Sequence, residues 1–361
     1  MRLTECGVMT DLLELAASLV AVPSESGAEA DLVSLLENQL GQVPWLELTR
    51  VGDNLVARTQ RGHAMRLVLA GHTDTVPANG NSTAVIDGDR LSGLGACDMK
   101  GGLAVMLELA RTVDDPAIDV TYIFYAREEI GAAQSGLLEL HLARPDLLQG
   151  DAAILGEPTS ATIEAGCQGT MRVRVTLAGE RAHTARPWMG RNAIHRLGSL
   201  LGAVADCPER EPVLQGCRYH EVLQAVHVVG GIAGNVVPDQ VEVTLNHRFA
   251  PDRSPAQAEA HVRSVVGPWM DEGDTFEVTD VAAGAMPALN DGLIATLIER
   301  GNLDVEAKLG WTDVARFASF GIPAANFGPG DPTIAHTAGE FVTRSDLDSV
   351  FAALNDLLRR G

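Results

Sequence analysis

Hydrophobic positions along this chain follow two different periods. Near Asp11–Val20 and again near Glu29–Leu40 apolar residues recur three and four apart, the spacing of one buried helix face, and they then close up into the short run Leu67–Ala70. A helical pattern from about Gly102 to Thr112, a strand-like Val120–Ala126 and a four-residue apolar run Ala152–Leu155 continue the alternation. Helices interleaved with short, wholly apolar strands predict an α/β layer structure around a mostly parallel central sheet. From about Leu293 to the end the chain returns to this pattern.

The middle of the chain has a different grammar. Met171, Val173, Val175 and Leu177 alternate with Arg172, Arg174 and Thr176, which predicts a strand with one face in a core and the other in water. A helix near Asn192–Val204 follows, then strands near Val222–Val229 and Val241–Phe249, a helix near Ala256–Val266 and a strand near Phe276–Val281. That order, βαββαβ, is the ferredoxin-like arrangement. Residues 1–168 and 283–361 are therefore expected to form one discontinuous domain, with 169–282 inserted as a smaller one. The smaller sheet would keep an edge that a second subunit can cover.

At 361 residues the chain exceeds what one hydrophobic core usually serves, in keeping with two domains. A net charge of −21 argues against nucleic acid and anionic membranes as partners, and no apolar run nears the roughly 20 residues of a membrane span. The opening MRLTECGVMTDLLELAASLV has acidic residues where an export signal needs basic ones, so the chain reads as cytoplasmic, with Met9 an alternative start. Its five cysteines, Cys6, Cys97, Cys167, Cys207 and Cys217, are scattered and include no CxxC pair; they are expected to be reduced, with neither a disulfide framework nor a thiolate zinc site. Lys100 and Lys308 are the only lysines, so positive charge resides in arginine, which grips carboxylates through two parallel hydrogen bonds. Acid-bearing small molecules fit that balance.

Candidate chemistry gathers just after the expected strands, where open α/β sheets bind their ligands. His72 lies in GHTDTVP, Glu128 and Glu129 follow Val120–Ala126, Glu157 lies in GEPT, and His336 lies in AHTAGE after Pro323–Phe327. Asp98 adds a further carboxylate in GLGACDMKGG, where glycines permit close backbone approach. Taken singly, each has an ordinary explanation: a loop histidine, surface glutamates, a helix cap, a turn residue. Two histidines and several carboxylates converging on one crevice have none, and the set suits a pair of zinc-like ions with positions open to water.

The strings GHTDTVP, GLGACDMKGG, REEIG, GEPT, AHTARPWMGRNAIH, GNVVPDQVEVTLNHRF and AHTAGE resemble, in order and over essentially the whole chain, the M20 family of metallopeptidases and deacylases. EAGCQGT and GWTDVARFASFGIPAANFGPGDP look most like the branch that acts on a succinylated diamino acid. The resemblance implies a two-metal amidohydrolase with two Zn2+ per subunit, Co2+ being a workable substitute. His72 and Glu157 would hold one ion, Glu129 and His336 the other, and Asp98 both, with a cis peptide after Asp98. Asp74, two residues past His72, would orient its imidazole, since alternate side chains of an extended backbone point the same way. Glu128 would be the general base, and His183 would reach a neighbouring subunit's site to hold the oxyanion, making the protein a homodimer through 169–282. Arg248 would bind a substrate carboxylate and Asn235 line the same pocket. Thr312 and the Gly328–Gly330 turn would add hydrogen bonds, while Trp311, where relatives carry a small residue, could narrow the pocket. Arg172, Arg174, Arg181, Arg186, Arg191 and Arg196 are expected mainly to decorate the surface. Two alternatives stay open: a deacylase or dipeptidase of the same family for a less acidic substrate such as acetylornithine, and a silent binding protein that keeps the fold.

Overall fold

A computed structural model describes residues 10–361; Met1–Met9, with Cys6 and the alternative start at Met9, lie outside the described residues. The chain divides into two compact units. One comprises the residues up to Ala165 with Ala288–Glu306 and Arg316–Gly361; the other comprises Gly166–Pro287 and Ala307–Ala315.

The first unit is built on an eight-stranded sheet, in spatial order Glu47–Val51, Asn54–Arg58, Asp119–Tyr125, Arg66–His72, Ala152–Leu155, Ala324–Asn326, Ile163–Ala165 and Val305–Ala307. The four strands at its centre run parallel, and antiparallel pairs flank them. Every residue of Asp119–Tyr125 is buried, as a strand covered on both faces requires. Helix Gly101–Thr112 is buried almost all round between helices Leu12–Val20 and Arg344–Arg360. The last of these turns Leu347, Val350, Phe351, Leu354 and Leu358 inward, at the three- and four-residue spacing of one helix face. Asp11 caps helix Leu12–Val20 by accepting the amides of Leu13 and Glu14. Two features go beyond the sequence expectations: the hairpin Glu47–Val51/Asn54–Arg58, turning at Gly52, and a small sheet of Phe341–Thr343, Arg90–Ser92 and Val85–Asp87.

In the second unit the order of elements is βαββαβ: strand Gly169–Ala178, helix Ala193–Ala205, strands Val222–Gly230 and Gln240–Phe249, helix Pro255–Val266 and strand Thr275–Ala282. The sheet order is Val222–Gly230, Gln240–Phe249, Gly169–Ala178, Thr275–Ala282, every pair antiparallel. Met171, Val173, Val175 and Leu177 form its core with Leu197, Leu200, Val243, Leu245, Val262 and other apolar residues of the two helices and the sheet. On the opposite face Arg174 pairs with Glu242 and Glu277, and Arg172 with Asp280. Arg181 pairs with Asp239, Arg191 with Asp271 and Arg196 with Asp274, so five of the six arginines singled out in the sequence are engaged by acids of their own unit.

Candidate metal centre

Strand ends deliver the candidate ligands of the first unit. His72 is the last residue of Arg66–His72 and is buried. Its Nδ1 lies 3.0 Å from the Asp74 carbonyl oxygen and 3.5 Å from Asp74 Oδ1, and its Nε2 lies 3.1 Å from Asp98 Oδ1. Nδ1–H is therefore donated to Asp74, which leaves Nε2 turned toward Asp98. The other oxygen of Asp98 lies 3.3 Å from His336 Nε2, and that nitrogen is 2.9 Å from Glu129 Oε1.

The ligand atoms of His72, Asp98 and Glu157 lie within 4.8 Å of one another, as do those of Asp98, Glu129 and His336, and those of His72, Glu128 and Glu129. Two donors on one tetrahedral zinc, each about 2.0–2.2 Å from the ion, sit about 3.3–3.6 Å apart. The 3.1 and 3.3 Å separations on either side of Asp98 are close to that edge length. A carboxylate with a different imidazole against each oxygen has the form of a bridge between two ions.

The electrostatics agree. Asp98 and Glu129 hold the His336 imidazole up at about 10. Burial works against a charged His72, yet Asp74 and Asp98 raise it well above the usual imidazole range. Asp98, despite its burial, is held well below the carboxylate range by His336 and His72. The pocket thus demands positive charge, which protons on the imidazoles or divalent cations can supply. Donor identity, separation and charge all fit a divalent metal pair.

Asp74 does more than its spacing from His72 suggests. Its Oδ1 accepts the Glu128 amide at 2.9 Å, its Oδ2 the Glu129 amide at 3.1 Å, and Ser26 Oγ–H donates to Oδ2 at 2.7 Å. Burial pushes this carboxyl up, but His72, the Glu128 amide and the Ser26 hydroxyl pull it down to about 2, so it is an anion that fixes one imidazole and the backbone of both glutamates. Glu340 escaped notice in the sequence although it ends AHTAGE. It is buried, and its Oε1 accepts the amides of both Cys97 and Asp98 at 3.1 Å, holding the Asp98 segment in place. The Asp98–Met99 peptide is cis.

Gly328 departs from its expected role as a hydrogen-bond donor to substrate. Its amide donates to Thr159 Oγ1 at 3.1 Å, and that hydroxyl donates back to the Gly328 carbonyl. A Cβ at Gly328 would come within 2.3 Å of the Gly156 carbonyl oxygen and 2.4 Å of that of Glu157; one at Gly102 would come within 2.2 Å of the same Gly156 oxygen. Both glycines let backbone pack against the segment carrying Glu157.

The remaining candidates belong to the second unit. His183 is exposed, and its Nδ1 accepts the Ala185 amide at 3.0 Å, which leaves Nε2–H as an outward donor. Asn235 is its neighbour across the paired segments, its carbonyl accepting the Thr184 amide. Arg248 is half-buried and has no carboxylate partner among the described residues. Thr312 Oγ1 is buried and meets no partner among the described residues. The Trp311 indole N–H donates to the Ala283 carbonyl at 3.1 Å, which fixes its ring.

Residues 68–360 match the model of peptidase family M20/M25/M40. The chain is 49% identical, over 97% of both chains, to a Mycobacterium tuberculosis protein provisionally named succinyl-diaminopimelate desuccinylase. It is 40% identical, again over 97% of both, to the succinyl-diaminopimelate desuccinylase of Corynebacterium glutamicum. Its fold is similar to that of an aminopeptidase from Bacillus cereus, with a TM-score of 0.78 at 21% identity over 97% of each chain. It is also similar to that of an M20 family metallo-carboxypeptidase from Sulfolobus solfataricus, with a TM-score of 0.76 at 16% identity over 97% of this chain and 99% of that one.

Proposed function

The chain belongs to peptidase family M20/M25/M40, and from that premise we propose that it hydrolyses the succinyl amide of N-succinyl-LL-2,6-diaminopimelate, giving succinate and LL-2,6-diaminopimelate for diaminopimelate and lysine biosynthesis. The observation that carries this reading is the 40% identity with the Corynebacterium glutamicum enzyme over 97% of both chains. Membership of a metallopeptidase family goes with use of a divalent metal. Two zinc ions per chain, held by His72, Asp98, Glu129, Glu157 and His336, is the finer form we adopt.

When bound, the ions would supply a Lewis acid for the amide carbonyl and lower the pKa of water toward about 7. Glu128, whose carboxylate reaches within 4.8 Å of the ligand atoms of His72 and Glu129, would take the proton of the attacking water and deliver it to the departing amine. Asp74 would keep His72 in the tautomer that presents Nε2 and hold Glu128 in register through its amide. His183 Nε2–H would stabilise the oxyanion. Arg248, with no acid partner among the described residues, would take a substrate carboxylate, and Asn235 and the Thr312 hydroxyl would add hydrogen bonds to substrate.

We also propose a homodimer formed through the second unit. Strand Val222–Gly230 is an edge, Gln224–Gly230 are exposed, and Val226, Val228, Val229 and nearby Ile232 present apolar side chains there. An uncovered apolar strand edge invites pairing with the same edge of a second copy. That assembly would carry His183 to the neighbour's centre. Among the described residues no helix is long and apolar enough to cross a membrane, and the reading places the enzyme in the cytoplasm.

Turnover of the zinc-loaded protein on N-succinyl-diaminopimelate and on N-acetylornithine tests the assignment. The succinyl compound should be preferred in kcat/KM by at least about a hundredfold, because a site built to pair its carboxylates discriminates against a ligand that leaves them unpaired. Preference for the acetyl compound would overturn the substrate while leaving the amide chemistry intact.

A further inference from the structure

A second group of metal-ligating side chains lies within the second unit and takes no part in the chemistry above. Glu221, His247 and His261 bring ligand atoms within 4.8 Å of one another. Glu221 directly precedes strand Val222–Gly230, His247 lies on strand Gln240–Phe249, and His261 on helix Pro255–Val266. Cys207, just past helix Ala193–Ala205, places its Sγ 3.7 Å from His261 Nε2.

His247 gives the group its direction. Its ring is buried, with 1% of its surface exposed, and its Nδ1–H donates to the Val222 carbonyl at 3.0 Å. That bond leaves Nε2 unprotonated, the tautomer that ligates metals, and backbone carbonyls are usual partners for the far nitrogen of a ligating histidine. Nε2 meets no hydrogen-bond partner among the described residues, and it faces Glu221 Oε1 at 3.9 Å. A buried polar atom without a partner is unfavourable and calls for a ligand. The His261 ring lies beside it, with centroids 5.2 Å apart. Burial disfavours the charged form of both imidazoles, which keeps them neutral and able to ligate.

We infer that Cys207, Glu221, His247 and His261 form a structural zinc site, separate from the M20 centre, that ties both helices of the second unit to its sheet. Glu221, His247 and His261 supply three donors for a borderline ion such as Zn2+, and Cys207, whose Sγ lies beside the His261 ring, would supply the fourth. Sulfur and nitrogen on one tetrahedral zinc, at about 2.3 and 2.0 Å, lie about 3.5 Å apart, near the 3.7 Å between Cys207 and His261. On binding, the Cys207 thiol would release its proton to solvent, so that the ion with its thiolate and carboxylate ligands forms a neutral set. Arg210 donates to Glu221 at 2.8 Å and Arg253 pairs with it at 3.2 Å, which orients its carboxylate, while Asp252 pairs with Arg210.

The test compares the full-length protein with the variants Cys207→Ser and His261→Asn after chelation and reloading. The M20 centre offers only oxygen and nitrogen donors, so a thiolate-to-cobalt charge-transfer absorption on Co2+ loading reports the new site alone. The wild type should show that band and bind one zinc equivalent per chain more than His261→Asn. Cys207→Ser should lose the band and bind this last equivalent at least about a hundredfold more weakly, beyond the roughly 10–100-fold effect of an outer partner. No band in the wild type, or the same zinc content in wild type and His261→Asn, overturns the inference and leaves a water as the partner of His247 Nε2. Neither outcome bears on the M20 centre.

Discussion

Glu128 and Glu129 are adjacent, yet the fold gives them different surroundings. Glu129 Oε1 lies 2.9 Å from His336 Nε2 and joins the Asp98 side of the cluster, whereas Glu128 is grouped with His72 and Glu129. Replacing Glu128 by alanine should leave bound metal unchanged and lower turnover at least about a hundredfold, the usual scale of a proton-transfer group. Metal analysis beside a kinetic assay checks it, and retained activity would remove Glu128 from the base role. At this scale the sequence was informative where a residue type itself names the chemistry. Histidines and carboxylates at strand ends stood out, and the structure brings His72, Asp98, Glu128, Glu129, Glu157 and His336 into overlapping groups. What stayed hidden were roles played through the backbone: the hold of Asp74 on two amides, the grip of Glu340 on Cys97 and Asp98, and Gly328 serving as a packing surface. Such roles depend on which main-chain groups come near, and one-dimensional spacing does not carry that.

Whole elements were read well where burial imposes a period. The strand expected over Met171–Leu177 extends over Gly169–Ala178, and the helix expected over Gly102–Thr112 begins one residue earlier. The hairpin at Gly52 and the small sheet around Arg90–Ser92 were missed because their strands are at most five residues long and, Asn54–Arg58 apart, half-exposed, so neither period is sustained. The second unit also contains an ion pair with a measurable pH signature. Asp274 accepts the amides of Ala178 and Asp271, both at 2.7 Å, and pairs with Arg196. Burial pushes Asp274 up, but Arg196 and the amides pull it down to about 2 from an ordinary 3.8. A carboxyl depressed in the folded state adds stability above its unfolded pKa and loses it as pH falls through the folded value. The contribution, about 2 kcal/mol, should be complete above pH ~5 and gone near pH ~1. Asp274→Asn should therefore unfold more easily at neutral pH, with the gap to wild type narrowing between those limits. A gap that is constant with pH in thermal unfolding would refute this.

For the whole molecule, the ordered series of motifs placed the chain in its family, and the change of period marked out a βαββαβ unit. Chain order could not reveal that Ala307–Ala315 joins that compact unit, since it lies 20 residues beyond Pro287. Nor could it reveal that Glu221, His247 and His261 come together, with Cys207 beside His261, since these residues share no motif spacing. If the exposed edge Val222–Gly230 joins two copies and His183 serves the neighbour, Val228→Lys should give a monomer by sedimentation with most turnover lost. A wild-type monomer with full activity would refute both parts. The account rests most heavily on the cations assigned to the first unit. The most direct measurement is an anomalous difference map at the zinc edge from crystals of the zinc-loaded protein. Two peaks about 3.5–4 Å apart should flank the Asp98 carboxylate, one toward His72 and Glu157, the other toward Glu129 and His336. A map without density between these side chains, from protein that still hydrolyses the succinyl amide, would contradict it.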